Sequence, residues 1–125
     1  MIVIDDNLLA VWQCQIADDQ DFLGGLSRTP DGGFEINYRF RYYRDDLLTM
    51  FSKDDKHWYR CTIKPGLPLE VAITPMRALL KTIEAQTGNV GRELIRDNHP
   101  TEWFMQEMSK WGNIHASSIP QGGTA

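Results

Sequence analysis

Four acidic groups, Asp5-Asp6, Asp18-Asp19 with Asp21, Asp45-Asp46 and Asp54-Asp55, are the residues of this chain whose type most directly suggests chemistry. Converging carboxylates supply hard oxygen ligands for Mg²⁺ or Ca²⁺, and a small metal-assisted hydrolase can be built on such a cluster. Adjacent aspartates on an extended chain point to opposite sides, however, and each doublet falls where a turn or strand end is expected. Aspartate is favoured there because its carboxylate accepts from nearby backbone N–H groups. The spacing of a calcium loop is absent, since its glycine and distal glutamate are missing. The doublets therefore read as turn residues, with the hydrolase kept as an alternative, and no metal ligand or cofactor is assigned.

The other reactive types are scattered. His57, His99 and His115 form no HxxxH, HxH or HExxH arrangement, so a surface or capping role is the simpler reading. Gly25-Leu26-Ser27 lacks the second glycine of a nucleophile elbow. Gly24-Gly25 and Gly32-Gly33 are followed by neither a Walker lysine nor a helix start, and read as hairpin glycines. Cys14 and Cys61 sit in apolar, strand-like surroundings and are expected to be buried reduced thiols. No catalytic residue is assigned.

A binding surface has more support. From Gly33 to Arg44 the chain reads GFEINYRFRYYR. Side chains alternate along a strand, so Phe34, Ile36, Tyr38, Phe40 and Tyr42 fall on one face and Glu35, Asn37, Arg39, Arg41 and Tyr43 on the other. The first set is expected to meet a core. His57 to Lys64 alternates likewise, with Tyr59, Cys61 and Ile63 inward and Trp58, Arg60, Thr62 and Lys64 outward. Asn37, Arg39, Arg41, Tyr43, Trp58 and Arg60 then make an outer face mixing planar cations with aromatic rings, the composition of a protein hot spot. Cross-strand pairing with Glu35 or turn aspartates is the plainer reading of the same arginines. Single-stranded nucleic acid would also suit stacking rings and guanidinium groups. The 17 acidic against 13 basic residues, a formal charge of -4, weigh against it.

These surfaces need elements to hold them. Leu8 to Ile16 reads as a strand with Leu8, Ala10, Trp12, Cys14 and Ile16 on one face, although a helix capped by Asn7 is also compatible. Phe22 to Arg28 pairs with the strand from Phe34, because Thr29-Pro30-Asp31-Gly32-Gly33 supplies the proline and glycines of a tight turn. Leu69 to Ile73 alternates weakly, which would fit a short edge strand. Thr74-Pro75 reads as a helix start and Gly88 as its stop, with Met76, Leu79, Leu80 and Ile83 on the buried stripe. Asn89 to Asp97 is expected to add a helical turn. Pro100 to Trp111 makes a second helix facing the core through Phe104, Met108 and Trp111, with Gly112 as its stop. Trp103 lies off that face, which implies some further cover.

Strands first and helices second predict an α+β domain, a two-layer sandwich with an antiparallel sheet of about four to five strands and about two helices packed on one face. Residues 1–115 are expected to form one domain, a length that can bury a core without a staple, and residues 116–125 a mobile tail. No signal-like start is present, and no apolar run approaches the roughly 18 residues of a membrane span. A cytoplasmic protein with no membrane association is the expectation. The sequence favours a non-enzymatic binding or regulatory module whose partner is another protein or a second copy of itself.

Overall fold

The structure is a computed structural model and describes residues 2–18, 20–42 and 59–111, the side chains of Arg41 and Tyr42 excepted. Expectations for Asp19, Tyr43, Asp45-Asp46, Asp54-Asp55, His57, Trp58, Gly112, His115 and the tail 116–125 lie outside the described residues. Five strands make one antiparallel sheet in the order β4-β3-β2-β1-β5. They are β1 Leu8–Ala17, β2 Gln20–Arg28, β3 Phe34–Tyr42, β4 Tyr59–Ile63 and β5 Arg92–Ile95. Three helices are described, α1 Leu69–Ala72, α2 Thr74–Thr87 and α3 Thr101–Ser109. The α+β class follows, with the sheet mainly in the N-terminal part and the two longer helices in the C-terminal part.

The predicted hairpin is the centre of the sheet. Leu26 pairs with Ile36, Gly24 with Tyr38 and Phe22 with Phe40. Its turn is closed by Thr29 N–H donating to the Gly33 carbonyl, and by Asp31 Oδ1 accepting from the Gly33 N–H at 3.0 Å. Thr29 Oγ1 also donates to Asp31, and this bond leads the N–H of Gly33 in holding the Asp31 carboxyl below its ordinary pKa. Gly32 carries a φ of 87° there.

Both faces of the sheet are covered. On the inner face Ala10, Trp12, Cys14, Phe22, Leu26, Phe34 and Ile36 pack against Ala72, Ile73, Met76, Leu80 and Ile83 of the α1–α2 segment. On the outer face Leu8, Val11 and Leu23 pack against Phe104 and Met108 of α3, together with Ile2 and Ile4 of the N-terminal segment. The layering thus differs from helices on one face: α2 and α3 sit on opposite faces. A register shift between Leu8 and Ala10 turns Leu8 away from the inner face, where strict alternation would have kept it.

Local departures have local causes. Residues 69–72 form α1 rather than a strand, and Thr74 does not cap α2; Ile73 occupies the N-cap position and the Thr74 hydroxyl donates back to the Glu70 carbonyl. Gly88 ends α2 in the left-handed conformation, as expected. The stretch expected to form a helical turn instead supplies β5, which pairs with β1 through Ala10–Ile95 to Gln13–Arg92. Phe34 and Ile36 are buried, Tyr38 is half-buried, and Phe40, expected to be mostly buried, is 39% exposed. Tyr59 and Cys61 share that face on β4, the last described strand of the sheet; both are exposed, and Cys61 is not the buried thiol expected. Cys14 is fully buried, and burial, ahead of the Glu84 charge, raises its thiol pKa.

Candidate interaction surface at the sheet edge

Strand β3 places Glu35, Asn37 and Arg39 on the outer face, and the ladder sets Glu35 opposite Thr62 and Asn37 opposite Arg60 of β4. Glu35 joins the two strands. Its Oε1 accepts from Asn37 Nδ2 at 3.1 Å, and its Oε2 lies 4.0 Å from Arg60 Nε. The Arg60 pair is largely solvent-exposed and contributes well under 1 kcal/mol, so it orients the guanidinium more than it stabilises the fold.

The outer face changes character across the sheet. Over β1 and β2 it is apolar and lies under α3 and the N-terminal segment, and Ile2 sits directly over Gly25, the residue paired with Asn37. Asn37 itself is buried. Toward the far end of the strands the face turns polar: Gln13 Nε2 donates to Asp21 Oδ2 at 2.9 Å, and both residues are buried. Arg39 is half-buried opposite Leu23, and Arg41 stands opposite Asp21 in the ladder. Of the expected site residues, Asn37 and Arg60 are thus brought together through Glu35, Arg39 and Arg41 follow along β3, and Tyr43 and Trp58 lie outside the described residues. Arg60 and Thr62 are the open part of this face.

The inner face of the same edge carries aromatic rings. Tyr59 is 57% exposed and stacks on Tyr38 with centroids 5.0 Å apart at 19°. Phe40 stands edge-on to Tyr38 at 6.4 Å, and Phe22 closes the group at 6.0 Å from Tyr38. Tyr59 and Cys61 are the residues that alternation alone assigned to the interior. Among the described residues β4 is the last strand of the sheet, and no local pattern specifies that.

Four of the described aspartates are occupied in structural roles. Asp5 accepts from the Asn7 N–H, Asp6 from the Thr101 hydroxyl, Asp21 from Gln13, and Asp31 holds the hairpin turn. Among the described residues no three histidine, cysteine, aspartate or glutamate side chains converge on a point that could hold a metal ion. His99 stacks on Trp103 with centroids 3.8 Å apart, which supplies part of the cover that Trp103 was expected to need. No described helix is long and apolar enough to cross a membrane.

No protein-family model matches the chain, and neither a curated protein nor a solved structure is significantly similar to it.

Proposed function

We propose that this protein is a non-enzymatic binding or regulatory module that engages another polypeptide through the β3–β4 side of its sheet. One observation carries the reading: among the described residues β4 is the last strand of the sheet, with Tyr59 to Thr62 all exposed, an aromatic ring on one face and Arg60 on the other. A strand at a sheet edge can take up a further strand, and exposed Tyr and Arg side chains beside it supply the selectivity that backbone pairing lacks. Asn37, Arg39 and Arg41 extend the same face along β3. The setting that suits the reading is cytoplasmic, where an exposed thiol such as Cys61 stays reduced.

Cross-linking in cells followed by identification of the attached chains tests this reading, with wild type compared against Tyr59→Ala and Arg60→Glu. Both positions are exposed, so the circular dichroism and melting temperature of the variants should match wild type. Tyr59→Ala should weaken association by about 2 kcal/mol or more, roughly thirtyfold, as truncated hot-spot aromatics do. Association unchanged in both variants would place the functional surface elsewhere.

A further inference from the structure

We propose that the open cleft between the β2–β3 turn and the end of β4 binds a short zwitterion, an amino acid or dipeptide with an apolar body, through Asp31 on one wall and Lys64 on the other. The cleft has a volume of about 690 Å³. It lies at the opposite end of β3 and β4 from the Tyr38–Tyr59 pair, and the inference does not depend on the strand-edge reading above.

Backbone chemistry sets the walls. Thr29, Pro30 and Asp31 form one of them, where Gly32 N–H donates to the Thr29 carbonyl and Thr29 N–H to the Gly33 carbonyl, each at 3.0 Å. Residues Thr62 to Pro65 form the other, which ends in a proline of fixed φ. Their spacing is fixed as well. The Ile63 carbonyl oxygen packs against Gly33 too closely to admit a Cβ, and Phe34, which also lines the cleft, pairs with Ile63. A ligand therefore meets preformed walls and orders little of the protein as it binds. The volume falls within the range of small-molecule sites, and two prolines with Phe34 and Ile63 supply apolar contact for the ligand's body.

Charge decides the class of ligand. Asp31 uses Oδ1 to accept from the Thr29 hydroxyl and the Gly33 N–H, which holds the carboxylate in place and leaves its second oxygen for a ligand's donor. Neither Asp31 nor Lys64 has an ion-pair partner among the described residues. A lone cation would be drawn to Asp31 and opposed by Lys64, and a lone anion the reverse. A molecule carrying both charges satisfies both walls, its ammonium on Asp31 and its carboxylate on Lys64. A metal ion does not suit the cleft, since among the described residues no three histidine, cysteine, aspartate or glutamate side chains converge.

The test is a titration of the isotope-labelled full chain followed by its amide resonances. Leucyl-leucine should produce saturable shifts of the Asp31, Gly33, Ile63 and Lys64 amides with a dissociation constant of about 1 mM, the strength that solvent-screened contacts allow. Its N-acetyl form lacks the ammonium and its amide lacks the carboxylate, and each should bind roughly fivefold more weakly. Leucine is titrated in parallel. Tighter binding than the dipeptide assigns the cleft to free amino acids, and weaker binding assigns it to dipeptides. Asp31→Asn keeps an acceptor for the turn and should remove only the preference over the N-acetyl form. Lys64→Gln should remove only the preference over the amide. That second variant lies outside the turn, so the test stays decisive even if Asp31→Asn loosens the hairpin. No saturable shift with either ligand, equal binding of the dipeptide and its two blocked forms, or preferences unchanged in Lys64→Gln would overturn the proposal.

Discussion

Glu93 shows how one residue can hold a large aromatic and a helix to the sheet at once. Its Oε1 accepts from Trp12 Nε1 at 2.7 Å, and both its oxygens accept from the Arg77 guanidinium of α2 at 2.8 and 2.9 Å. The Arg77 bond first, and the Trp12 bond after desolvation, hold the carboxyl below its ordinary pKa. A depressed folded pKa contributes stability that is fully present above the unfolded value, near 4.5, and is lost as pH falls through the folded one. Glu93→Gln keeps an acceptor for the indole and removes the charge. Thermal melts from pH 7 down to pH 3 should show the gap between wild type and Glu93→Gln closing below about pH 4.5; a gap independent of pH would assign the residue to packing alone. The three residues are far apart in the chain, and only the folded sheet brings them together.

At the scale of elements, the hairpin was fully legible and its neighbours were not. Pro30, Gly32 and Gly33 specify a turn by backbone chemistry, and alternation on either side specifies the register. Gly33 has a second role that the turn does not reveal. A Cβ there would collide with the Ile63 carbonyl oxygen, because the end of β4 runs against the turn. Gly33→Ala should therefore cost roughly 1 to 3 kcal/mol, as overpacking against rigid backbone does. Gly32→Ala meets no such neighbour and should lose only about 1 kcal/mol, from its positive φ. Equal denaturant midpoints for the two variants would remove the steric account. Strand β5 is not legible in the sequence, because four residues carry too little periodicity to distinguish it from a helical turn. Its pairing with β1 makes it a strand.

Across the whole molecule, Arg96 ties the chain's beginning to its last described helix. Its guanidinium is buried and donates to the Leu8 and Asp5 carbonyls at 2.6 Å each, and to the His99 carbonyl and the Thr101 hydroxyl. Thr101 in turn donates to Asp6, and the guanidinium lies 5.0 Å over the Phe104 ring. Arg96→Met keeps the aliphatic stem and orphans these acceptors, so it should cost roughly 3 kcal/mol. Hydrogen exchange should show residues 2–8 and α3 losing protection together while the β2–β3 hairpin keeps its own. Protection lost uniformly across the sheet would refute a local tie.

Composition, alternation and turn chemistry were enough to establish an α+β chain, the central hairpin, the α2 and α3 stripes and the absence of a familiar catalytic signature. Those features depend on residues within a few positions of one another, where backbone preference and face periodicity act directly. What the tertiary structure alone decided was which strand comes last and what covers each face. Tyr59 and Cys61 alternate as core residues do, yet they are exposed, on the strand that is last in the sheet among the described residues. Asn37 alternates as a surface residue does, yet it is buried. Pairing order and layering are set by contacts between residues distant in sequence, and a local pattern carries no term for them.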